Sequence, residues 1–158
     1  MDYIWGYRVF RIYIKKVSKE LGGIIGGGFD PIYLIAQRLV RKLCDKCKEA
    51  YFPTEEEVKH ISTEPKVQEQ LMKTKLYKKK GCKECGYLGY TGRLGIYEVM
   101  PISREIKKLI AQGAHDIEIE EAAVAAGMKT LKFSCLKHIM DGVTTTSEFI
   151  RVLGYASD

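Results

Sequence analysis

The chain has no apolar run approaching the ~20 residues that a bilayer-crossing helix needs. Nor is a secretory signal expected: the apolar stretch at Tyr3–Ile14 is broken by Gly6, Arg8 and Arg11, and no small-residue cleavage site follows. A cytoplasmic, reducing setting is therefore the expectation, and there disulfides are rare. Histidine is scarce. His60, His115 and His138 are the only three, and none has a partnered nucleophile at a recognisable spacing, so each reads as a surface or packing residue. The glycine run Leu21–Gly28 lacks the Gly-Lys-Ser/Thr ending that gives a phosphate loop its lysine and its Mg²⁺-binding hydroxyl, so it reads as a linker.

What the chain does have is cysteine in a pattern. Four of its five cysteines form two brackets, Cys44-Asp45-Lys46-Cys47 and Cys82-Lys83-Glu84-Cys85. Each Cys-x-x-Cys turn aims two thiols at one point, and four thiolates at tetrahedral corners suit Zn²⁺. Disulfides, free thiols and an iron–sulfur cluster are the alternatives. An odd cysteine total argues against a fully paired framework. A redox role is disfavoured because a reactive Cys-x-x-Cys sits at a helix N-terminus, whereas Cys44 ends a strand. Cys135, in Leu131–Leu136, reads as a small buried hydrophobe.

With 158 residues, 46% hydrophobic and 29% charged, the chain is one ordinary domain or two small ones. Its formal charge of +6 fits nucleic acid, acidic lipid or an acidic protein, and selects none of them.

Residues 1–30 read as a basic segment, with strand-like alternation at Tyr3, Trp5, Tyr7 and Val9, followed by the glycine linker. Ile32–Leu43 reads as a strand that delivers Cys44 into the first bracket. Thr54–Glu57 is a capping box, and Glu64-Pro65 starts a second short helix through Val67, Leu71 and Met72. A strand is expected at Lys75–Lys80, and another at Arg93–Met100 returning across it. Gly86 is expected to free the knuckle backbone and turn amides toward sulfur. Four helices follow. They are capped by Ser103, Asp116, Thr130 and the box Thr145–Glu148, with Phe149, Val152 and Leu153 as the buried stripe of the last. The fold class is thus α/β (an α+β fragment), with short strands around a tetracysteine zinc loop followed by a C-terminal helical bundle. Residues 1–30, 31–100 and 101–158 form its three parts.

The phrase Ile35-Ala36-Gln37-Arg38-Leu39-Val40-Arg41-Lys42-Leu43-Cys44 resembles a stretch of the secretion ATPases. These are the GspE/PulE-type motors of type II secretion and the related type IV pilus assembly ATPases. The resemblance continues in order through Gly81–Cys85, Gly89–Glu98, Gly127–Leu131 and Asp141–Thr145, so it runs from about Pro31 to Gly154. It implies a structural Zn²⁺ on Cys44, Cys47, Cys82 and Cys85. It also implies a homo-hexameric parent ATPase at the cytoplasmic face of the inner membrane, relaying motion to platform proteins. The family's Walker A loop, Walker B segment and Asp- and His-containing boxes lie upstream of the strand at Ile35 and have no counterpart here. No catalytic residue is carried over, and ATP binding is not expected of this chain. Gly28-Phe29-Asp30-Pro31 echoes the family's phrase before this strand, in shortened form.

The competing reading is a nucleic-acid-binding zinc ribbon. Lys78, Lys79, Lys80 and Lys83 lie beside the second bracket, and Tyr77, Tyr87 and Tyr90 could stack on bases. The 34 residues between the brackets exceed the ~15–20 usual between ribbon pairs.

Overall fold

The computed structural model describes residues 33–154. The strand-like segment at Tyr3–Val9, the glycine linker and the Gly28–Pro31 phrase lie outside them. The elements run β1 (Tyr33–Leu43), β2 (Glu49–Tyr51), α1 (Glu55–Ile61), α2 (Pro65–Lys73), β3 (Leu76–Lys78), a 3₁₀ turn (Lys83–Cys85) and β4 (Tyr90–Pro101). Then come α3 (Arg104–Ala111), α4 (Asp116–Ala125), α5 (Leu131–Met140) and α6 (Thr146–Leu153). This is the mixed architecture read from the sequence.

The strands form two ribbons, β1 with β4 and β2 with β3. β2 and β3 are antiparallel, with Ala50 opposite Tyr77. In the other ribbon Gln37 bonds Tyr97 while Leu43 lies beside Thr91, so sequence numbers run in opposite senses and this pair too is antiparallel. The pairing corrects one expectation: β4 returns along β1, not along the strand before the knuckle. The cause is local. Cys44 N–H donates to Gly89 O, and from that point the chain leaving the knuckle runs back beside the strand that entered the first bracket.

The described residues divide into two units. One comprises residues 33–37 and Tyr97–Leu131. Its core is Met100, Ile102, Ile106, Ile110, Ile119, Ala123 and Met128, with Leu34 and Leu109 packed against it. Ser103 Oγ accepts from Ile106 N–H and opens α3, as expected. Gly113, at φ +69, ends that helix in the left-handed conformation, and Ala114 N–H closes back on Leu109 O. α4 is entered one residue earlier than read. His115 is its N-cap, because the Glu118 carboxylate reaches back to the His115 N–H at 2.9 Å. Asp116 is the first helical residue.

The other unit comprises Arg38–Ile96 and residues 132–154. Val40, Leu43, Leu71, Leu76, Ile139 and Phe149 are fully buried in it, each contributing about 1.5–3 kcal/mol relative to exposure. Cys135 is buried with them, as a small core residue. In α6 Phe149 is buried, but Val152 and Leu153 are only half-buried, and the other inward residues are Thr146 and Glu148. Thr54 and Thr145 both cap their helices through the N–H three residues on. Each box's glutamate serves elsewhere: Glu57 accepts from Tyr51 Oη and Thr146 Oγ1 at 2.5 Å each, and Glu148 from Arg41 and Arg151.

Candidate metal centre

Cys44 follows directly on β1, and Cys47 comes at the end of the turn after it. Cys47 N–H and Lys48 N–H both fold back on Cys44 O, at 3.2 and 3.0 Å, and this curls the first bracket. Cys82 and Cys85 bracket the 3₁₀ turn, where Cys85 N–H and Tyr87 N–H both donate to Cys82 O. Two similar knuckles thus face each other.

The four Sγ atoms all lie within 4.8 Å of one another. Cys44 to Cys82 and Cys47 to Cys85 are each 3.9 Å, and Cys82 to Cys85 is 3.8 Å. Zn–S bonds of about 2.3 Å at tetrahedral angles put sulfurs about 3.8 Å apart, so the spacing fits that ion. It is far beyond the ~2.0 Å of a disulfide, and all five cysteines are free thiols. Cys44 and Cys85 are buried, Cys47 and Cys82 half-buried. The quartet is closed on itself and offers no further ligand position, which is the mark of a structural site.

Backbone amides support the sulfurs. Gly81 N–H points at Cys47 Sγ at 3.3 Å, while Cys82 N–H and Gly89 N–H point at Cys85 Sγ at 3.2 Å each. Such donors favour thiolate. Burial opposes ionisation at Cys85, yet these amides draw its thiol below the ordinary range. At Cys47 burial dominates, and the neighbouring sulfurs add to it, so its thiol is pushed up. A divalent cation at the centre of the cluster would supply the positive charge that four thiolate ligands require.

The glycines divide this labour differently from the expectation placed on Gly86. That residue does take the left-handed backbone, at φ +57, but its N–H closes the turn on Lys83 O. Gly81 and Gly89 aim at sulfur. A Cβ at Gly81 would meet Tyr87 O at 2.6 Å, and one at Gly89 would meet the Lys79 side chain at 2.6 Å. Their signal in the sequence was position alone, one residue before Cys82 and four after Cys85.

Several of the lysines and tyrosines beside the second bracket are engaged with nearby side chains. Lys78 lies over Tyr51, Lys79 over Tyr90, and Lys48 over Tyr77, while Lys80 pairs with Glu49 at 2.5 Å. Tyr90 also carries Arg41 over its ring and bonds Thr145 through its hydroxyl. Tyr87 is exposed and holds φ +62, unusual for a residue with a side chain. Of the histidines, none belongs to the sulfur cluster. No helix among the described residues is long and apolar enough to cross a membrane.

The sequence profile of the family described as type II/IV secretion system protein matches residues 31–151. Over 117 residues the chain is 37% identical to the type IV pilus assembly ATPase PilB of Myxococcus xanthus, a match covering 74% of this chain and 20% of that protein. Over 136 residues it is 32% identical to the type II secretion system protein E of Pseudomonas aeruginosa, covering 82% and 26%. Over 119 residues it is 34% identical to the type II secretion system ATPase E of Vibrio cholerae, covering 75% and 22%. The chain therefore spans about a fifth to a quarter of the length of these curated relatives.

Proposed function

Because the chain belongs to the type II/IV secretion system protein family, we propose that it is the zinc-stapled, non-catalytic C-terminal part of a secretion or pilus-assembly motor. In this reading Cys44, Cys47, Cys82 and Cys85 hold a structural Zn²⁺. The surrounding unit contributes to packing between motor subunits and to coupling with platform proteins at the cytoplasmic face of the inner membrane. The observation that carries the proposal is the four-sulfur cluster, closed and amide-supported, lying inside the stretch that matches the family.

A stapled part suits a mechanical role. Zinc binding in structural sites is worth about 10–16 kcal/mol, comparable with the whole stability of a small domain, so the loops it joins move as one piece. The chemistry of the parent family requires a phosphate cradle and a Mg²⁺ ligand, and neither is recognisable in this sequence.

The test combines three measurements on the purified chain. Metal analysis should return one zinc per chain. A fluorescent ATP analogue should show no saturable binding. The cytoplasmic domain of a cognate platform protein should be retained by the zinc-loaded chain and lost when the metal is chelated. Saturable nucleotide binding, or retention indifferent to zinc, would overturn the proposal. Random-sequence DNA checks the zinc-ribbon reading: binding that weakens steeply with salt and depends on Lys78–Lys83 would replace the motor role with a nucleic-acid one.

A further inference from the structure

Charge is segregated along this chain. Residues 70–83 hold six lysines and no Asp or Glu, whereas residues 109–128 hold four Asp/Glu and no Lys or Arg. Each stretch carries, or runs into, a pair of large apolar side chains left in solvent. After the second thiol bracket these are Tyr87 and Leu88, 67% and 69% exposed. Their backbone is fixed, since Tyr87 N–H donates to Cys82 O and Leu88 N–H to Cys85 O. Lysines flank them. The Lys79 side chain lies beside Gly89, and exposed Lys83 stands in the turn, with Glu84 next to it. On α4 the pair is Ile117 and Val124, 61% and 44% exposed. Seven positions apart, they share a face with exposed Glu121, beside exposed Glu118, while Ile119 and Ala123 bury the other side of the helix.

We infer that α4 of a second copy of this chain docks on the knuckle. Ile117 and Val124 of one copy then meet Tyr87 and Leu88 of the other, and Glu118 and Glu121 meet Lys79 and Lys83. The two surfaces are alike in kind and opposite in sign, and the charges stand on the surfaces themselves. The apolar pairs shed water, while the charges around them set the orientation and reject the wrong partner. Knuckle against knuckle would press lysines together, and α4 against α4 would press carboxylates together. The contact is therefore heterologous: each copy offers its helix to one neighbour and its knuckle to the next, which builds rings or filaments rather than closed pairs. The knuckle is already held by its own hydrogen bonds, so it has little freedom to lose on docking. The inference rests on the motor reading, for which it names the two surfaces of subunit packing.

Sedimentation equilibrium of the intact zinc-loaded chain should show reversible self-association that weakens several-fold on going from low to high salt. Glu121→Lys and Lys83→Glu should each weaken it several-fold with zinc still bound. An equimolar mixture of these two variants should recover it, because the reversed helix then meets the reversed knuckle. Should Lys83→Glu lose zinc, Leu88→Ser takes its place and should weaken association likewise. In a mixture of isotopically heavy and light chains, a zero-length carboxyl–amine cross-linker should join Glu118 or Glu121 to Lys79 or Lys83 in heavy–light pairs. A monomer at every concentration overturns the inference. If zinc binding and platform-protein retention survive that result, the motor reading stands without it. Association indifferent to the substitutions also overturns the inference and puts the contact elsewhere. So do cross-links confined to heavy–heavy and light–light pairs, which mark a contact within one chain.

Discussion

Glu148 accepts both the backbone N–H of Arg41, at 2.7 Å, and that residue's Nε–H, at 2.8 Å, so one carboxylate on α6 pins β1 from 107 positions away. Arg151 Nε and Nη2 complete the shell at 2.8 and 2.6 Å. The Glu148 side chain is wholly buried while both guanidiniums are about half exposed. The charge is therefore matched without desolvating all three partners, the usual weakness of buried ion pairs.

Glu148→Gln should accordingly destabilise the protein by about 2–3 kcal/mol, since two arginines and a backbone amide lose their anionic partner. Burial alone would raise the Glu148 carboxyl, but the hydrogen bonds from Arg151 and Arg41 hold it down at about 2, against an ordinary 4.5. A folded-state value below the unfolded one gives stability that is present above about pH 4.5 and lost as pH falls toward 2. The gap between wild type and Glu148→Gln should narrow through that window. Urea denaturation of both proteins in parallel, at fixed added zinc, measures it.

Removal of one sulfur should undo the metal site as a whole. Cys44→Ser or Cys82→Ser should abolish stoichiometric zinc and cooperative unfolding of residues 44–95, because metal binding and folding share one free energy there. Cys135→Ala should leave zinc at one per chain and cost about 1 kcal/mol for the shortened core side chain. Metal analysis with thermal denaturation separates the two outcomes.

Two knuckle glycines should respond unequally to alanine. Gly86, at φ +57, has open space around its missing Cβ, so Gly86→Ala should cost about 1 kcal/mol of backbone strain. Gly89, at φ +77, would press a Cβ against Lys79 while donating to Cys85 Sγ and accepting from Cys44. Gly89→Ala should cost more, about 2–3 kcal/mol, and weaken zinc retention in a chelator competition.

Tyr87 carries the opposite kind of strain. It is exposed and left-handed at φ +62, so Tyr87→Asn, which tolerates that backbone, should hold or raise the melting temperature by a few degrees, about 0.5–1 kcal/mol. A fall of similar size would mean that the ring contributes packing beyond its own contacts.

Much of this was legible because it is local. Thr54, Ser103 and Thr145 announce helix starts through bonds spanning three residues, and the two Cys-x-x-Cys turns carry their geometry within four. The partnership of β4 with β1 was not, because it depends on where Gly89 lands beside Cys44, forty-five positions earlier. β2 escaped because Glu49-Ala50-Tyr51 is too short to show a period. It exists only through its ladder to Leu76–Lys78. The second function of each capping glutamate was hidden for the same reason, since Thr146 is remote from Glu57 and Arg41 from Glu148. The sequence revealed the four sulfurs but not the amides that aim at them, which depend on backbone direction rather than residue type.

The turn around Gly142 couples places that share no ligand. Its neighbour Val143 takes the Leu43 N–H, Thr144 bonds Arg41 O, Lys48 Nζ reaches Gly142 O, and Gly142 leaves no room for a side chain beside the Tyr77 ring. The first thiol loop, the β3 strand that leads toward the second, and the stretch before α6 therefore rest on the same few atoms. Zinc departure will be felt at the far end of the sequence: a spectroscopic label on α6 becomes a gauge of metal occupancy although no cysteine ligand lies within that helix.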